Sequence, residues 1–149
     1  MSLNNIEEIA TYIVAEGKGI LAADESNPTC GKRFDSIGVE STEENRRDYR
    51  EMLFRSKGMK DNIGGVILFD ETIRQSAADG TLLRDIISNQ GALPGIKVDK
   101  GLQPIEGCDG ETVTVGLEGL DERLKEYASM GAKFTKWRAV INIGDGIPS

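Results

Sequence analysis

The stretch Phe134–Ile141 reads Phe-Thr-Lys-Trp-Arg-Ala-Val-Ile and predicts a β-strand, because β-branched and aromatic residues dominate it and a glycine lies just upstream. Alternate side chains of a strand share a face, so Lys136 and Arg138 point one way and Trp137 points the other. Two cations on one side of an apolar strand are costly to bury unless an anion compensates them. The pattern indicates either a solvated edge strand or an anion-binding site.

Two further stretches carry ionisable residues at the end of a predicted strand. In Gly95–Gly101, which reads GIKVDKG, Lys97 and Asp99 share one face. In Gly19–Ser26, which reads GILAADES, Asp24 falls at the carboxyl end. Ligands bind at the carboxyl ends of strands in parallel α/β sheets, so these ends predict a shared ligand site.

The rest of the chain alternates between helical and extended patterns. These patterns predict helices at residues 3–16, 41–56, 82–89 and 120–128, and strands at residues 19–24, 64–69, 95–99 and 134–141. Strands that alternate with helices imply a parallel sheet, so the fold class is α/β. No linker or low-complexity tract appears, and we expect residues 1–149 to belong to one domain with no second domain.

Local sequence signals add detail to one helix and to two of the connecting stretches. Ser41 and Glu44 have capping-box spacing, which predicts the start of the second helix. The segment Ser26–Gly31 reads as a polar loop. Asp109-Gly110 lies between short extended runs, which is a hairpin signal, and the stretch is interpreted as an ordinary surface excursion. Arg47 and Arg50 are interpreted as solvated helix charges.

Composition limits the function classes that remain open. The chain has 149 residues with a net charge of −7, which argues against non-specific nucleic-acid binding. No apolar run is long enough to span a membrane, and no signal peptide is evident, so we expect no membrane partner. Cations near the predicted strand ends of an acidic chain favour a small anionic ligand.

The reactive residue types narrow the chemistry further. The chain contains no histidine, which removes Ser-His and Cys-His nucleophile pairs and zinc sites that need histidine. Two cysteines, Cys30 and Cys108, are too few for a disulfide framework and are interpreted as inert in a reducing, cytoplasmic setting. We therefore expect no metal ion.

Six stretches together resemble class I fructose-bisphosphate aldolase. They are GKGILAADES at 17–26, GKR at 31–33, TEENR at 42–46, GGVILF at 64–69, GIKVDKG at 95–101 and KWR at 136–138. They follow the family's order and spacing over nearly the whole chain. The resemblance implies a (β/α)₈ TIM barrel and reversible cleavage of fructose 1,6-bisphosphate to dihydroxyacetone phosphate and glyceraldehyde 3-phosphate, a lyase step of glycolysis. It implies a lysine Schiff base and no cofactor.

The resemblance also implies catalytic roles at three positions. Asp24 matches the first-strand aspartate that handles substrate hydroxyl protons. Lys136 matches a lysine that stabilises charge beside the Schiff base, and Arg138 matches its neighbour that orients the site. Proton transfer needs a carboxylate near the reacting atoms, which agrees with Asp24.

Four more positions match substrate-binding residues of the family. Lys97 matches a third-strand lysine that faces a substrate phosphate, and Thr29 and Arg33 match phosphate-side contacts after the first strand. Arg46 matches a position associated with substrate binding. A bisphosphate needs cations at both ends, because each phosphate carries about −1.5 to −2 charges at neutral pH.

Only about the first four strands of the implied barrel can be assigned. A complete barrel has eight strands and takes about 250 residues. The family's Schiff-base lysine, on the sixth strand, is expected outside these residues. We therefore expect the remaining barrel half, on the same or a separate chain, as a partner. We also expect a homo-oligomer, tetrameric as is common in the family, in the cytoplasm or a plastid.

Alternatives remain open at this stage. Lys97, Asp99, Lys136 and Arg138 could form a structural ion-pair layer, because such networks arise without function. Asp99 is the strongest candidate for a purely structural role, Lys100 is interpreted as solvated, and Trp137 as packing against helices. The chain could also be a transaldolase-like lyase that uses Lys136, or a non-catalytic half-barrel that binds phosphosugars.

Overall fold

The computed structural model describes residue 3 and residues 5–149, so position 4 of the predicted 3–16 helix lies outside the described part. The elements follow one another in the order α1 Ile6–Ile13, β1 Gly19–Ala23, α2 Asn27–Asp35, α3 Glu43–Phe54, α4 Met59–Asn62, β2 Ile63–Leu68, α5 Asp70–Arg74, α6 Leu83–Asn89, β3 Leu93–Lys97, β4 Leu102–Pro104, β5 Thr112–Thr114, α7 Leu120–Ser129 and β6 Phe134–Lys136. None of the described helices is both long and apolar enough to cross a membrane.

The main sheet has the strand order β1-β2-β3-β6, and every pair in it is parallel. Parallel neighbours need a crossover connection, and helices supply it between successive strands. The predicted parallel α/β sheet is confirmed. Within the described residues β1 and β6 are the two edges of this sheet.

The core lies where strand β2 is covered by helices. Val66 and Leu68 of this strand are fully buried, as are Leu83 and Ile87 of α6. A continuous apolar strand of this kind is typical of a parallel sheet that is covered on both faces. Trp137, as expected, packs against this core.

Glycines allow close packing toward the amino ends of the strands. A Cβ atom on Gly65 would lie 2.9 Å from the ring of Phe134, and one on Gly95 would overlap the same ring. A Cβ atom on Gly64 would lie 2.6 Å from the carbonyl oxygen of Ile13 at the end of α1. The aromatic ring and the helix end occupy space that any larger residue would need.

The predicted strand 134–141 is wrong in its extent, because β6 ends at Lys136. Its neighbour β3 ends at Lys97, and the chain then turns away to the hairpin, where Lys100 N–H donates to the carbonyl of Val115 at 2.8 Å. Within the described residues, the segment after Lys136 therefore has no neighbouring strand to pair with. The hairpin itself is confirmed, since β4 and β5 pair antiparallel.

The structure corrects three further local predictions. Helix α1 covers Ile6–Ile13 rather than 3–16. The segment predicted as a polar loop forms the start of α2, in which Pro28 occupies the first turn, where its missing N–H costs nothing. The cap of α3 is Thr42 rather than Ser41: Asn45 N–H donates to Thr42 Oγ1 at 3.1 Å.

Candidate active site

An open cavity of about 960 Å³ lies at the carboxyl ends of the parallel strands. Six of the seven predicted site residues line it, namely Asp24, Thr29, Arg33, Lys97, Lys136 and Arg138. The strand ends converge because neighbouring strands are parallel and in register. The cavity therefore stands where ligands bind in barrels and open α/β sheets.

Asp24 and Lys136 form an ion pair across this cavity. The carboxylate follows the last residue of β1, the ammonium group comes from the last residue of β6, and Nζ lies 2.7 Å from Oδ2. The side chains are 11% and 32% exposed. A carboxylate and an ammonium group at hydrogen-bond distance, still open to the cavity, can exchange a proton with a bound molecule.

Lys97 forms a second pair, with Asp99. Its Nζ donates to Asp99 Oδ1 at 2.6 Å, and the other carboxylate oxygen accepts from the backbone N–H of Arg138 at 3.2 Å. Burial alone would raise the pKa of Asp99, but the hydrogen bonds from Lys97 and from the Arg138 backbone outweigh it and lower that pKa. Asp99 is buried and joins the end of β3 to the segment after β6, which fits its predicted structural role.

Two cationic side chains on the cavity lining make neither a hydrogen bond nor an ion pair within the described residues. The guanidinium of Arg138 and the ammonium of Lys100 form no hydrogen bond or ion pair with any residue in the described part of the chain. The backbone of Arg138 is nevertheless held, since its carbonyl accepts from Thr114 Oγ1 of the hairpin at 2.7 Å. These side chains are the cations most available to an incoming anion.

Helix α2 supplies the polar groups beside Asp24. Thr29 Oγ1 lies 3.0 Å from Ser26 Oγ in the first turn. Arg33 Nη1 lies 2.6 Å from Glu25 Oε1 and donates to the hydroxyl of Tyr49 at 3.2 Å. The neighbouring Glu25 carboxylate is the main reason why the pKa of Arg33 is raised. Arg33 therefore stays a cation at the rim of the cavity.

Arg46 is the one predicted site residue that does not line the cavity. Its Nε and Nη2 donate to the two carboxylate oxygens of Glu71 at 2.8 and 2.7 Å, and its Nη1 donates to the Ser41 carbonyl at 2.6 Å. The guanidinium is thus engaged with α5 and with the segment before α3. The structure does not bring it together with the other six residues.

A family model for class I fructose-bisphosphate aldolase matches residues 5–149 of the chain. The chain belongs to the class I fructose-bisphosphate aldolase family. A probable class 1 aldolase of Xanthomonas campestris pv. campestris is 56% identical over 149 residues, which are 100% of this chain and 45% of that protein. The cytosolic fructose-bisphosphate aldolase 4 of Arabidopsis thaliana is 55% identical over 140 residues, 94% of this chain and 36% of that protein.

A solved structure gives the same result for the aldolase fold. Fructose-bisphosphate aldolase from Plasmodium falciparum, crystallised with TRAP and a small-molecule inhibitor, matches with a TM-score of 0.91 and 49% identity. The match covers 94% of this chain and 40% of that one. The sheet of this aldolase-family chain is therefore part of a TIM barrel, and the chain spans less than half the length of these relatives.

Arg50 differs most from its sequence-based prediction. The helix pattern predicts a solvated charge, yet Arg50 is only 2% exposed and its Nε donates to the carbonyl of Ala23 at 2.9 Å. Its spacing gives a signal, because Phe54 follows four residues later on the same helix face and is fully buried. Arg47 is less solvated than expected, since its side chain is 24% exposed and pairs with Glu44 and Asp48 of its own helix.

A second group that sequence reasoning missed lines the far side of the aldolase cavity. Arg74 of α5 pairs with Asp70 at 2.8 Å and with Glu126 of α7 at 2.6 Å, and Tyr127 donates to Asp70 at 2.9 Å. Burial would raise the pKa of Asp70, but the hydrogen bonds from Arg74 and Tyr127 lower it. The four-residue spacing of Asp70 and Arg74 is the signal that could have revealed this group.

The described residues contain no cluster of three or more histidine, cysteine or acidic side chains suited to a metal ion. Cys30 is buried and Cys108 is partly exposed, and both are free thiols. The expectation of a metal-free and cofactor-free aldolase stays a prediction.

Proposed function

We propose that this chain contributes the first four strands of the barrel in a class I fructose-bisphosphate aldolase. The enzyme would cleave fructose 1,6-bisphosphate reversibly to dihydroxyacetone phosphate and glyceraldehyde 3-phosphate. The observation that carries the proposal is the 2.7 Å pair of Asp24 and Lys136 in a cavity that Lys97 and Arg138 also line. Family membership supports the same reaction.

In this proposal Asp24, Lys136 and Arg138 act at the reacting carbons. Asp24 transfers the proton of the substrate hydroxyl, because its carboxylate faces the cavity beside the ammonium group of Lys136. Lys136 stabilises charge next to a Schiff base on a lysine outside residues 1–149. Cations close to that lysine would lower its pKa and favour the neutral nucleophile. Arg138 orients the substrate, and its unpaired guanidinium supports that role.

Lys97, Thr29 and Arg33 bind the substrate phosphates. Lys97 is the last residue of β3 and Arg33 lies in the last turn of α2, so they are suited to different parts of an extended bisphosphate. Arg46 keeps its proposed contribution to substrate binding, and its bonds to Glu71 and Ser41 favour an indirect one, through the loop before α3. Charge-assisted hydrogen bonds of this kind are stronger than neutral ones.

The proposal extends to the assembly. Residues 1–149 would form the N-terminal part of one barrel domain, and the remaining half would close the sheet edges at β1 and β6. Open edges of this kind pair with other strands, so closure would stabilise the protein. The enzyme would act in the cytoplasm or in a plastid, since named relatives include cytosolic and chloroplastic enzymes. It would also form a homo-oligomer such as a tetramer.

Borohydride trapping tests the function. The protein at its native length is incubated with dihydroxyacetone phosphate, reduced with borohydride and mapped by mass spectrometry, with a sample lacking the sugar phosphate as the control. The aldolase proposal expects one adduct, on a lysine outside residues 1–149. An adduct on Lys136 would instead support a transaldolase-like lyase. A protein that binds the sugar phosphate but gives no adduct would be a non-catalytic phosphosugar-binding protein.

A further inference from the structure

Arg50 reaches from helix α3 to the carboxyl end of strand β1, which Asp24 directly follows. Its Nε donates to the carbonyl of Ala23 at 2.9 Å, and its Nη2 donates to the carbonyl of Glu25 at 2.9 Å. Its Nη1 lies 3.1 Å from the Sγ atom of Cys30 in α2. One guanidinium therefore holds the backbone on both sides of Asp24 and contacts the helix that follows.

The charge of Arg50 is compensated by Glu25, whose side chain is 8% exposed. Nη2 lies 3.1 Å from Glu25 Oε2, and this oxygen makes no hydrogen bond with the described residues, so the contact is electrostatic. The other oxygen, Oε1, lies 2.6 Å from Nη1 of Arg33. A buried ion needs such a partner, because removing one member leaves an uncompensated charge. Glu25 thus connects the buried Arg50 to the Arg33 side chain on the cavity.

Strand β1 ends one residue before Asp24. Its last residue, Ala23, pairs with Leu68 of β2 in the described sheet. The backbone of Asp24 lies beyond the strand, so the ladder does not set the direction of its side chain. The planar guanidinium group holds its N–H donors in a rigid arrangement and can bridge two carbonyl oxygens. The ammonium group of a lysine lacks this fixed arrangement of donors.

We propose that Arg50, together with Glu25, is a positioning residue that aims the Asp24 carboxylate at Lys136 and holds Arg33 at the rim of the cavity. The positioning of Asp24 and Arg33 is argued from the contacts of Arg50 and Glu25 alone. The catalytic consequence rests on the proposed aldolase function. A reacting group that is displaced by about 1 Å costs about 10²-fold in rate, so a small movement of this turn is sufficient.

The reactivity of Lys136 measures the position of Asp24 without any enzyme assay. Lys136 is acetylated in the native protein under limiting reagent, and its rate is determined by mass spectrometry for the wild type, Arg50→Met and Arg47→Met. Lys97 serves as the internal control, because it pairs with Asp99 and not with Asp24. Arg47→Met is the matched control from the same helix, since the ion pairs of Arg47 among the described residues are with Glu44 and Asp48 of that helix.

We expect Arg50→Met to raise the Lys136 rate about two- to fivefold, the factor that a partly exposed ion pair contributes. The Lys97 rate should stay unchanged, and Arg47→Met should alter neither. Arg50→Lys should lie between wild type and Arg50→Met. An equal rise at Lys136 and Lys97 would mean general loosening and would overturn the proposal, as would an unchanged Lys136 rate.

A second variant keeps the test decisive where Arg50→Met does not fold. Glu25→Gln retains the volume of Glu25 and removes the charge that pairs with Arg50 and Arg33. It should also raise the acetylation rate of Lys136, again without changing that of Lys97. Hydrogen exchange of the backbone amides at residues 23–33 should accelerate relative to residues 93–99, and uniform exchange over both segments would contradict the proposal.

Turnover of fructose 1,6-bisphosphate gives the catalytic readout at native length. Arg50→Met should lower kcat about 10²-fold per folded molecule, with a smaller change in KM. An unchanged kcat in a variant whose Lys136 is acetylated faster would show that the position of Asp24 does not control turnover, and would overturn the catalytic consequence. If the wild type does not cleave the substrate, the proposed function fails, while the ratio of Lys136 to Lys97 acetylation still decides the positioning role.

Discussion

The two ends of the parallel sheet have opposite chemistry. Toward the amino ends of the strands, Gly65 and Gly95 make room for the ring of Phe134, and Gly64 faces the end of helix α1. At the carboxyl ends, Asp24 and Lys136 pair across a cavity of about 960 Å³. One end is filled by side chains and backbone in close contact, and the other is left open and charged.

This difference separates the residues that stabilise the sheet from those that serve the proposed reaction. Packing at the amino ends depends on shape, so the added volume of one methyl group should be harmful there. The carboxyl ends depend on charge, so isosteric changes that remove a charge should be harmful there while the fold is retained. In barrels of this type the carboxyl face carries catalysis and the opposite face carries stability.

The largest effect is expected for Asp24→Asn. In the native-length enzyme it should lower kcat on the order of 10²–10⁴-fold, the range for a general acid–base group, while the fold persists. Steady-state cleavage of fructose 1,6-bisphosphate measures it, and Asp121→Asn is the control, because Asp121 pairs only with Lys125 on the exposed face of α7. A kcat near that of the wild type would make Asp24 a structural counter-ion of Lys136.

A change at the opposite end of the sheet should act on stability instead. Gly95→Ala places a methyl group inside the space of the Phe134 ring, so we expect a loss of about 2–3 kcal/mol in the free energy of unfolding. Gly19→Ala is the control, because no atom lies within 4 Å of a Cβ atom there. Denaturant unfolding compares the two variants. Equal losses would show that strand conformation, and not the ring contact, determines the cost.

Removal of a phosphate-side cation should act on binding. Arg33→Met should raise KM for fructose 1,6-bisphosphate about tenfold with a smaller effect on kcat, because the phosphate charge is present before and during the reaction. Lys97→Met should behave alike, and Lys125→Met, on the exposed face of α7, should change neither constant. Fructose 1-phosphate lacks one phosphate, so its KM should be nearly the same in the wild type and in one of the two cavity variants. Equal losses on both substrates would contradict the assignment.

The smallest effect is expected outside the cavity, at the ion pair of Arg46 and Glu71. Hydrogen bonds from Arg46 lower the pKa of Glu71 below its usual 4.5. The folded state therefore binds this proton less readily than the unfolded state, and the stabilisation is complete above pH 4.5 and is lost as the pH falls through the lowered folded pKa. Glu71→Gln should cost about 1 kcal/mol at neutral pH and progressively less in acid.

Denaturant unfolding at several pH values measures this dependence. Glu44→Gln is a suitable control, since the Glu44 side chain is 74% exposed and lies 3.5 Å from Arg47. The control should show no pH-dependent difference from the wild type. A Glu71→Gln cost that is constant from neutral to acidic pH would show that shape at this position, and not charge, is what stabilises the protein.

The sequence was sufficient for the parallel sheet and for most of the residues that meet at its carboxyl ends. Periodicity identified the strands because the apolar run at β2 and the ionisable residues after β1 and β3 are local features. It failed where the outcome depends on partners distant in the chain. Residues 137–141 look like a strand, but β3, their neighbour in the described sheet, ends at Lys97. Arg50 looks solvated in sequence, but it is buried and bonds to the end of β1.

The pair of Asp24 and Lys136 also has a consequence for biosynthesis. The two residues are 112 positions apart, on strands at opposite edges of the described sheet. At about 5–20 residues per second, the ribosome adds Lys136 about 6–22 s after Asp24. Strands β1, β2 and β3 can pair in the order in which they emerge, but the carboxylate gains its cation only when β6 joins them. During that interval the Asp24 carboxylate of the nascent chain has no Lys136 to pair with. Chaperones would therefore bind a chain whose first three strands can pair before the ion pair forms.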